Sequence, residues 1–219
     1  FLTSSCCPAF VSYIRKSFPE LQENISHNMS PMATIAKRIK EKDPEAKTVF
    51  IGPCTAKKGE FQLPEVHKYV DCVLTFEELQ AMFDSRELDV AGMEETVINN
   101  ASGYGRIFAH CGGLAAAAAE ALKEQGIEFE LKPLSCNGIE ECKLALMKAA
   151  RGKLDANFVE GMACVGGCVN GAGCMTHNER NRVKVDAHSQ QAHLKSITDS
   201  LLYAAEIDRE LEEKAGDKA

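Results

Sequence analysis

Four cysteines in three short segments rich in glycine and proline constrain this chain more than any other feature. They are Cys7 in TSSCCPAF (3–10), Cys54 in FIGPCTAKKGE (50–60), and Cys164 with Cys168 in EGMACVGGCVNGAG (160–173). Thiolates carried by separate loops, each beside residues that permit tight turns, are typical ligands of a cubane iron–sulfur cluster. The pattern therefore predicts a fold that brings three distant loops around one 4Fe-4S cluster.

The same cysteines are also compatible with zinc binding, with inert thiols or with disulfides. A structural zinc site also takes four thiolates, although zinc ribbons and fingers usually present two compact pairs and this chain has one. Buried free thiols are common because cysteine packs like a small hydrophobic residue. Ten cysteines could also form disulfides, but their clustering beside Gly and Pro, with Lys and Met close by, favours reduced thiolates in a cytoplasmic protein.

Composition excludes two classes of partner. The net charge of −7 and the pI near 5.5 argue against nucleic acid, because binding to phosphates requires a basic face. No apolar run approaches the roughly 20 residues that span a bilayer, so no membrane is expected. The 219 residues suffice for a buried core, and no linker or repeat marks a domain boundary.

Helical and extended segments alternate along the chain, which indicates an α/β fold. We predict helices over 9–18, 31–42, 76–84, 114–125, 137–151 and 189–212, with Ser30, a Thr75–Glu78 capping box and an Asn137–Glu140 pair as caps. We predict a buried strand over 47–52 and extended segments over 70–75, 106–113 and 127–135. The expected architecture is mixed or parallel twisted sheets flanked by helices, with the cluster site in the loops between elements.

The three cysteine segments resemble the signature loops of the FeFe (iron-only) hydrogenases, whose usual forms are close to TSCCPxW, MPCxxKxxE and ExMACxxGCxxGGGQP. The segments occur in the same order and extend from residue 3 to about 175. The resemblance implies reversible interconversion of protons and electrons with H2. It also implies that residues 1–213 are part of the catalytic (H-cluster) domain without its upstream region, followed by a disordered tail over 214–219.

Matching the motifs position by position implies a ligand set. The cubane ligands would be Cys7, Cys54, Cys164 and Cys168. Cys168 would also bridge to a di-iron subcluster that carries CO, cyanide and a bridging dithiolate. Since the upstream region would supply part of the cavity, an empty or partly filled site is also compatible with this chain.

The resemblance assigns roles to five further residues. Cys6 matches a proton-relay thiol, Lys57 a cyanide-binding lysine, and Met162 a methionine near the bridging carbonyl. Phe108 matches an aromatic residue of the cofactor pocket, and Ser26 a serine of the proton path. Four of them have a simpler alternative: an inert thiol for Cys6, a surface lysine for Lys57, core packing for Met162, and a surface serine for Ser26.

The chemistry supports two of these roles directly. A thiol with a reference pKa of about 8.5 can give and take protons near neutral pH, as a relay must. Cyanide ligands are anionic acceptors, so a buried ammonium such as that of Lys57 would hold and orient them.

The chain departs from the family pattern at three places. Gly52 stands where the motif has Met, Phe10 replaces the usual Trp, and GAGCMTH (171–177) replaces GGGQP and introduces Cys174. Of the remaining cysteines, Cys72 is expected in the core, whereas Cys111, Cys136, Cys142 and Cys174 have no assigned role.

The expected partners follow from the proposed reaction. They are ferredoxin or a similar electron carrier, H2 and protons as substrates, maturation proteins, and the missing upstream part of the same domain. Two rival functions are a hydrogenase-like iron–sulfur protein that carries clusters for assembly, and an H2-sensing hydrogenase variant. A cluster carrier has less reason to combine Cys6 with Lys57, and the presence of Cys6 favours turnover over sensing.

Overall fold

Two small parallel sheets form the framework of the structure, a computed structural model that describes residues 1–96, 101–178 and 180–205. The strands are β1 (Leu2–Thr3), β2 (Val49–Ile51), β3 (Cys72–Leu74), β4 (Pro133–Asn137) and β5 (Phe158–Met162). One sheet has the order β1-β5-β4, with Thr3 paired to Val159 and Asn137 paired to Met162. The other sheet pairs β2 with β3. The α/β prediction with parallel sheets is confirmed.

Helices flank both sheets. They are α1 (Pro8–Ser17), α2 (Pro31–Lys42), α3 (Ala56–Glu60), α4 (Pro64–His67), α5 (Phe76–Ser85), α6 (Gly103–Arg106), α7 (Gly113–Glu124), α8 (Ile139–Ala150) and α9 (Arg180–Gln190), and residues 197–205 are also helical. Short 3-10 turns cover Pro19–Asn24, Val90–Gly92, Ile107–Ala109 and Cys168–Asn170. No helix in the described part of the chain has the length and apolar character needed to cross a bilayer.

The main hydrophobic core lies between α1, α8 and the larger sheet. Phe10 and Ile14 of α1 pack with Leu146 of α8 and Val159 of β5, and all four are almost fully buried. Gly161 makes this packing possible, because a Cβ there would lie 2.3 Å from Cε1 of Phe10. The core therefore anchors α1, which follows the first cysteine loop, against β5, which precedes the last one.

The second core joins the smaller sheet to α2 and α4. Its buried members are Met32, Ala33, Ala36, Val66, Val70 and Val73. Two local signals place these elements as predicted. The Ser30 hydroxyl accepts from Ala33 N at 3.4 Å at the start of α2. Thr75 and Glu78 form the reciprocal capping box of α5, with bonds of 3.2 and 2.8 Å.

Two extended predictions are wrong in part. The strand over 47–52 is shorter and is not buried, since Val49 and Ile51 are 49% and 43% exposed. Residues 103–109 form helical turns where an extended segment was predicted over 106–113. The Ser102 hydroxyl accepts from Gly105 N at 3.2 Å, so a local cap starts a helix upstream of the apolar run.

The strand predicted over 127–135 is displaced to β4, and Ile127 and Phe129 are exposed instead of paired. Asn137 does not cap α8: Gly138, with φ of 93°, occupies that position, and the Asn137 side chain accepts from Gly166 N. A tertiary contact with the last cysteine loop thus outcompetes the local cap.

The carboxy-terminal prediction is also corrected. Helix α9 precedes the predicted start at Ser189, and helical structure resumes at residue 197 instead of running on from it. The remainder of the predicted helix, over 206–212, and the predicted disordered tail over 214–219 lie outside the described residues.

Candidate functional site

Each cysteine loop follows the carboxyl end of a parallel strand. Cys7, in the loop after β1, occupies the N-cap position of α1. Cys54 lies between β2 and α3, and Cys164 lies directly after β5. The crevice beyond the carboxyl ends of parallel strands is where open α/β sheets bind ligands.

Electrostatic coupling shows that the three loops meet. The pKa of the Cys168 thiol is raised to about 12, first by burial and then by the nearby Cys7 and Cys54 thiols. The pKa of Cys164 is also raised, first by burial and then by Cys7 and Cys54. Charges act on one another in this way only at short range, so the four thiols lie near one another.

The thiols nevertheless do not enclose a single ion. In residues 1–96, 101–178 and 180–205, no group of three or more His, Cys, Asp or Glu residues could hold one metal ion. All ten cysteines are free thiols. A cubane bonds each thiolate to a different iron, so it spreads its ligands more widely than one ion does. Convergent but separated free thiols fit the donor set of such a cluster.

A cavity of about 650 Å³ adjoins the cysteine cluster. This cavity is lined by five of the predicted site residues: Cys6, Lys57, Phe108, Met162 and Cys168. They come from the first cysteine loop, α3, the 3-10 turn at Ile107–Ala109, the end of β5 and the 3-10 turn after Gly167. Cys168 is thus the residue shared by the cluster of thiols and the cavity.

The cavity lining is positively charged. Its charged members are Lys57, Arg106 and Lys184, and no carboxylate belongs to the described lining. The whole chain carries a net charge of −7, so the lining of this cavity is opposite in sign to the chain as a whole. A concave site lined by one sign of charge concentrates ligands of the opposite sign, which favours an anionic occupant.

Lys57 is buried and held at two points. Its Nζ donates to Glu60 Oε2 at 2.7 Å and to the carbonyl oxygen of Cys6 at 3.4 Å. Lys57 is 7% exposed, unlike its neighbour Lys58, which pairs with Glu78 at the surface. The sequence interpretation assigned no role to Glu60, although this residue matches the last position of the loop MPCxxKxxE and lies three residues after Lys57.

Cys6 presents a protonated thiol at neutral pH. The pKa of this thiol is raised to about 11, first by burial and then by the neighbouring Cys7 thiol. A neutral thiol is a weak donor and acceptor, so Cys6 can hand on a proton without leaving a charge in the cavity.

The apolar walls explain two departures from the family pattern. A Cβ at Gly52 would lie 2.7 Å from the Phe50 ring, and Phe50 lines the cavity, so this ring fills the space beside Gly52. Cys174 also lines the cavity, and its Sγ contacts the Val169 carbonyl at 3.2 Å. Met162 is 2% exposed at the end of β5.

Ser26 lies elsewhere. It lines a larger cleft of about 1380 Å³ with Glu60, and it is absent from the lining of the smaller cavity. Its backbone N–H donates to Thr3 O at 3.0 Å, and its hydroxyl accepts from Asn28 N at 3.3 Å. The structure therefore does not bring Ser26 into the group formed by Cys6 and Lys57.

Glu160 is a second residue that the sequence interpretation overlooked. Its side chain is fully buried on β5, and its carboxylate accepts from Gly112 N at 3.0 Å, Ala115 N at 2.9 Å and Ser135 Oγ at 3.3 Å. These bonds fasten the start of α7, and with it the turn that carries Phe108, to the strand that leads to Cys164. An acidic residue within an apolar strand was the available signal.

Comparison with known proteins points to one family. The family described as "Iron only hydrogenase large subunit, C-terminal domain" matches residues 1–172. "Iron hydrogenase 1" of Clostridium pasteurianum is 29% identical over 91% of this chain and 41% of its own length. The "Periplasmic [Fe] hydrogenase large subunit" of Nitratidesulfovibrio vulgaris is 30% identical over 78% of this chain and 50% of its own length. The chain thus spans about half the length of these relatives.

Two further similarities bear on fold and on the rival function. A solved structure of "[FeFe]-hydrogenase HydA1 from Chlamydomonas reinhardtii" superposes with a TM-score of 0.70 at 19% identity, covering 94% of this chain and 70% of the other. The "Cytosolic Fe-S cluster assembly factor NAR1" of Kluyveromyces lactis is 38% identical, over only 40% of this chain and 19% of its own length.

Proposed function

This chain belongs to the family of the iron-only hydrogenase large subunit, C-terminal domain, and we propose that it carries the H-cluster of an FeFe hydrogenase, which catalyses 2H+ + 2e− ⇌ H2. One observation supports this most strongly. Cys168 lies close enough to Cys7, Cys54 and Cys164 for the three thiols to affect its pKa, and it also lines the cavity that Cys6 and Lys57 line. A site for a cubane alone does not require that cavity.

The proposed ligand set uses residues that fit the group. Cys7, Cys54, Cys164 and Cys168 would bind the 4Fe-4S cluster, and Cys168 would join it to a di-iron subcluster with CO, cyanide and dithiolate ligands in the cavity. When bound, these metals would relay electrons to and from the electron carrier and would provide the H2-binding position. The cationic lining suits the anionic cyanides, and Phe50, Phe108 and Met162 exclude water from them.

The chain's own contribution is positioning and proton transfer. The Lys57 ammonium, anchored by Glu60, would donate to a cyanide and fix the orientation of the subcluster. The Cys6 thiol would accept a proton arising in the cavity and pass its own proton outward, as general acid–base catalysis requires. Ser26, in the larger cleft, would serve a later part of this proton path.

The complete activity would need partners. We propose ferredoxin or a similar electron carrier, maturation proteins that deliver the di-iron unit, and the upstream part of the domain as the remaining cavity wall. A cytoplasmic location suits the ten free thiols, which a reducing compartment preserves.

The rival function is cluster carriage in assembly, and the similarity to an assembly factor over 40% of the chain favours it specifically. A carrier needs the four cluster cysteines but has no use for a buried ammonium beside a thiol in an adjoining cavity. The joint placement of Cys6 and Lys57 in that cavity therefore ranks the hydrogenase first.

Infrared spectroscopy distinguishes the two functions. We expect the protein expressed with hydrogenase maturation proteins to show CO and CN stretching bands, and Cys6→Ser to keep these bands while losing most of its turnover. A 4Fe-4S signal without CO or CN bands would favour the carrier. Full turnover in Cys6→Ser would remove the relay role but not the hydrogenase.

A further inference from the structure

The buried ion pair between Lys57 and Glu60 lies between the smaller cavity and the larger cleft described above. Lys57 lines the smaller cavity, and Glu60 lines the larger cleft. Only 9% and 10% of the two side chains are exposed. The proposed reaction uses Lys57 directly, whereas Glu60 touches none of the reacting groups.

Helix α3 sets the geometry of the pair. Residues three apart lie on the same face of a helix, so both side chains leave α3 on one side. The 2.7 Å separation of Nζ and Oε2 is that of a charge-assisted hydrogen bond. An ammonium has three N–H donors. The bonds to Glu60 and to the Cys6 carbonyl account for two of them and leave one for an acceptor in the smaller cavity.

The charge of Glu60 maintains this arrangement. Desolvation disfavours the protonated form of a buried lysine, so without a counter-charge Lys57 would lose its proton or move towards water. Loss of the proton would remove the positive charge and one N–H donor, and movement towards water would take the donor out of the cavity. Movement would also break the contact with the Cys6 carbonyl, which adjoins the thiol proposed as the relay.

We propose that Glu60 is a positioning residue whose carboxylate keeps the Lys57 ammonium charged and available to an anionic ligand in the smaller cavity, and that fixes the Cys6 backbone through Lys57. The identity of that ligand as a cyanide rests on the proposed function. The ion pair itself stands on the geometry of α3.

The chain contains a matched control next to this pair. Lys58 and Glu78 are also 2.7 Å apart, but 36% and 46% of their side chains are exposed. Glu78→Gln keeps the capping box of α5, because Gln serves at that position as Glu does. The two Glu→Gln changes therefore differ in burial and in access to the cavity.

The first test needs no cofactor. The cluster-free protein is treated with acetic anhydride at neutral pH, and acetylation of Lys57 and Lys58 is followed by mass spectrometry. In Glu60→Gln we expect Lys57 to react about tenfold faster or more, since each unit of lowered pKa gives tenfold more free amine. In Glu78→Gln only Lys58 should change. An unchanged Lys57 rate in Glu60→Gln would overturn the proposal.

A double variant covers the case in which Glu60→Gln does not fold. Lys57→Met with Glu60→Gln removes both charges, so recovery of folding in this variant would support the counter-charge role. If the double variant also fails to fold while Lys57→Met alone folds, Glu60 acts independently of Lys57 and the proposal is wrong.

The second test uses the matured protein. We expect Glu60→Gln to shift a CN stretching band as Lys57→Met does and to lower turnover by about 10- to 100-fold, as the loss of an outer-shell partner usually does. Bands at wild-type positions would refute positioning. If the wild type shows no CO or CN bands, the proposed function fails, and the acetylation test still decides whether Glu60 holds Lys57.

Discussion

Replacing Glu160 with Gln should destabilise the cluster-free protein measurably, because the change removes an acceptor where only donors face it. The carboxylate is fully buried and accepts from two backbone N–H groups and one hydroxyl. An amide offers one acceptor oxygen and one NH2 donor, so either orientation leaves the N–H of Gly112 or Ala115 without a partner. The Ser135 hydroxyl can rotate to accept from the new NH2.

The magnitude follows from these contacts. An unsatisfied buried N–H costs about 1–3 kcal/mol, and the surviving bonds lose about 1 kcal/mol when they are no longer made to a charged group. The free energy of unfolding should therefore fall by about 2–4 kcal/mol. At roughly 2–4 °C per kcal/mol for a chain of this size, Tm should fall by about 5–15 °C.

Urea unfolding monitored by circular dichroism gives the free energy of unfolding of each variant from the midpoint Cm and the slope m. Glu130→Gln is the control, because that side chain is 81% exposed and forms a surface ion pair with Lys132 at 3.4 Å. The control should stay within about 0.5 kcal/mol of the wild type. A Glu160→Gln protein that is as stable as the control would refute the reasoning that the carboxylate satisfies buried donors.

Three further changes test other contacts. Cys168→Ala should remove most cluster iron from the reconstituted protein, whereas Cys72→Ala on β3 should keep it; equal iron contents in a colorimetric assay would contradict the ligand assignment. Gly161→Ala places a Cβ 2.3 Å from a ring carbon of the buried α1 phenylalanine, so it should lower the free energy of unfolding by about 1–3 kcal/mol. Thermal melting measures this loss, and Gly59→Ala is the control, because a Cβ there meets nothing within 4 Å. Because the pKa of Cys6 is raised to about 11, its rate of alkylation in the cluster-free protein should still rise about tenfold per pH unit at pH 10. A rate that levels off near pH 8.5, the pKa of an ordinary thiol, would show that burial does not raise the pKa of Cys6.

Local signals predicted those parts of the fold that local contacts determine. Ser30 and the Thr75–Glu78 pair cap their helices as predicted, because each cap needs only residues within one turn. Asn137 has the same chemistry but bonds to Gly166 N, from a loop distant in sequence. The residues next to Asn137 in the sequence do not show whether its side-chain oxygen will accept from the helix or from a distant loop.

The sequence predicted the site residues that belong to the recognised motifs, together with Phe108. Cys6, Lys57, Phe108, Met162 and Cys168 do line one cavity. Their roles there remain proposals. The role of Glu160 was missed because its partners are revealed only by folding: it accepts from backbone N–H groups at the start of α7, which are 48 and 45 residues away in the sequence.

The energetics of the cavity also bear on the choice between enzyme and carrier. Burying two opposite charges costs several kcal/mol of desolvation per ion, so a buried ion pair such as Lys57–Glu60 is weak evidence of added stability. A protein that only carried a cubane would fold as readily with apolar side chains at both positions. The pair is better explained by a ligand that needs a charged donor at that wall. The smaller cavity could bind such a ligand, because its lining is cationic and has no carboxylate within the described residues. An anionic metal complex bridged through Cys168 would account for the buried ion pair and for the cationic cavity. A cubane confined to the four thiols would account for neither the ion pair nor the cavity.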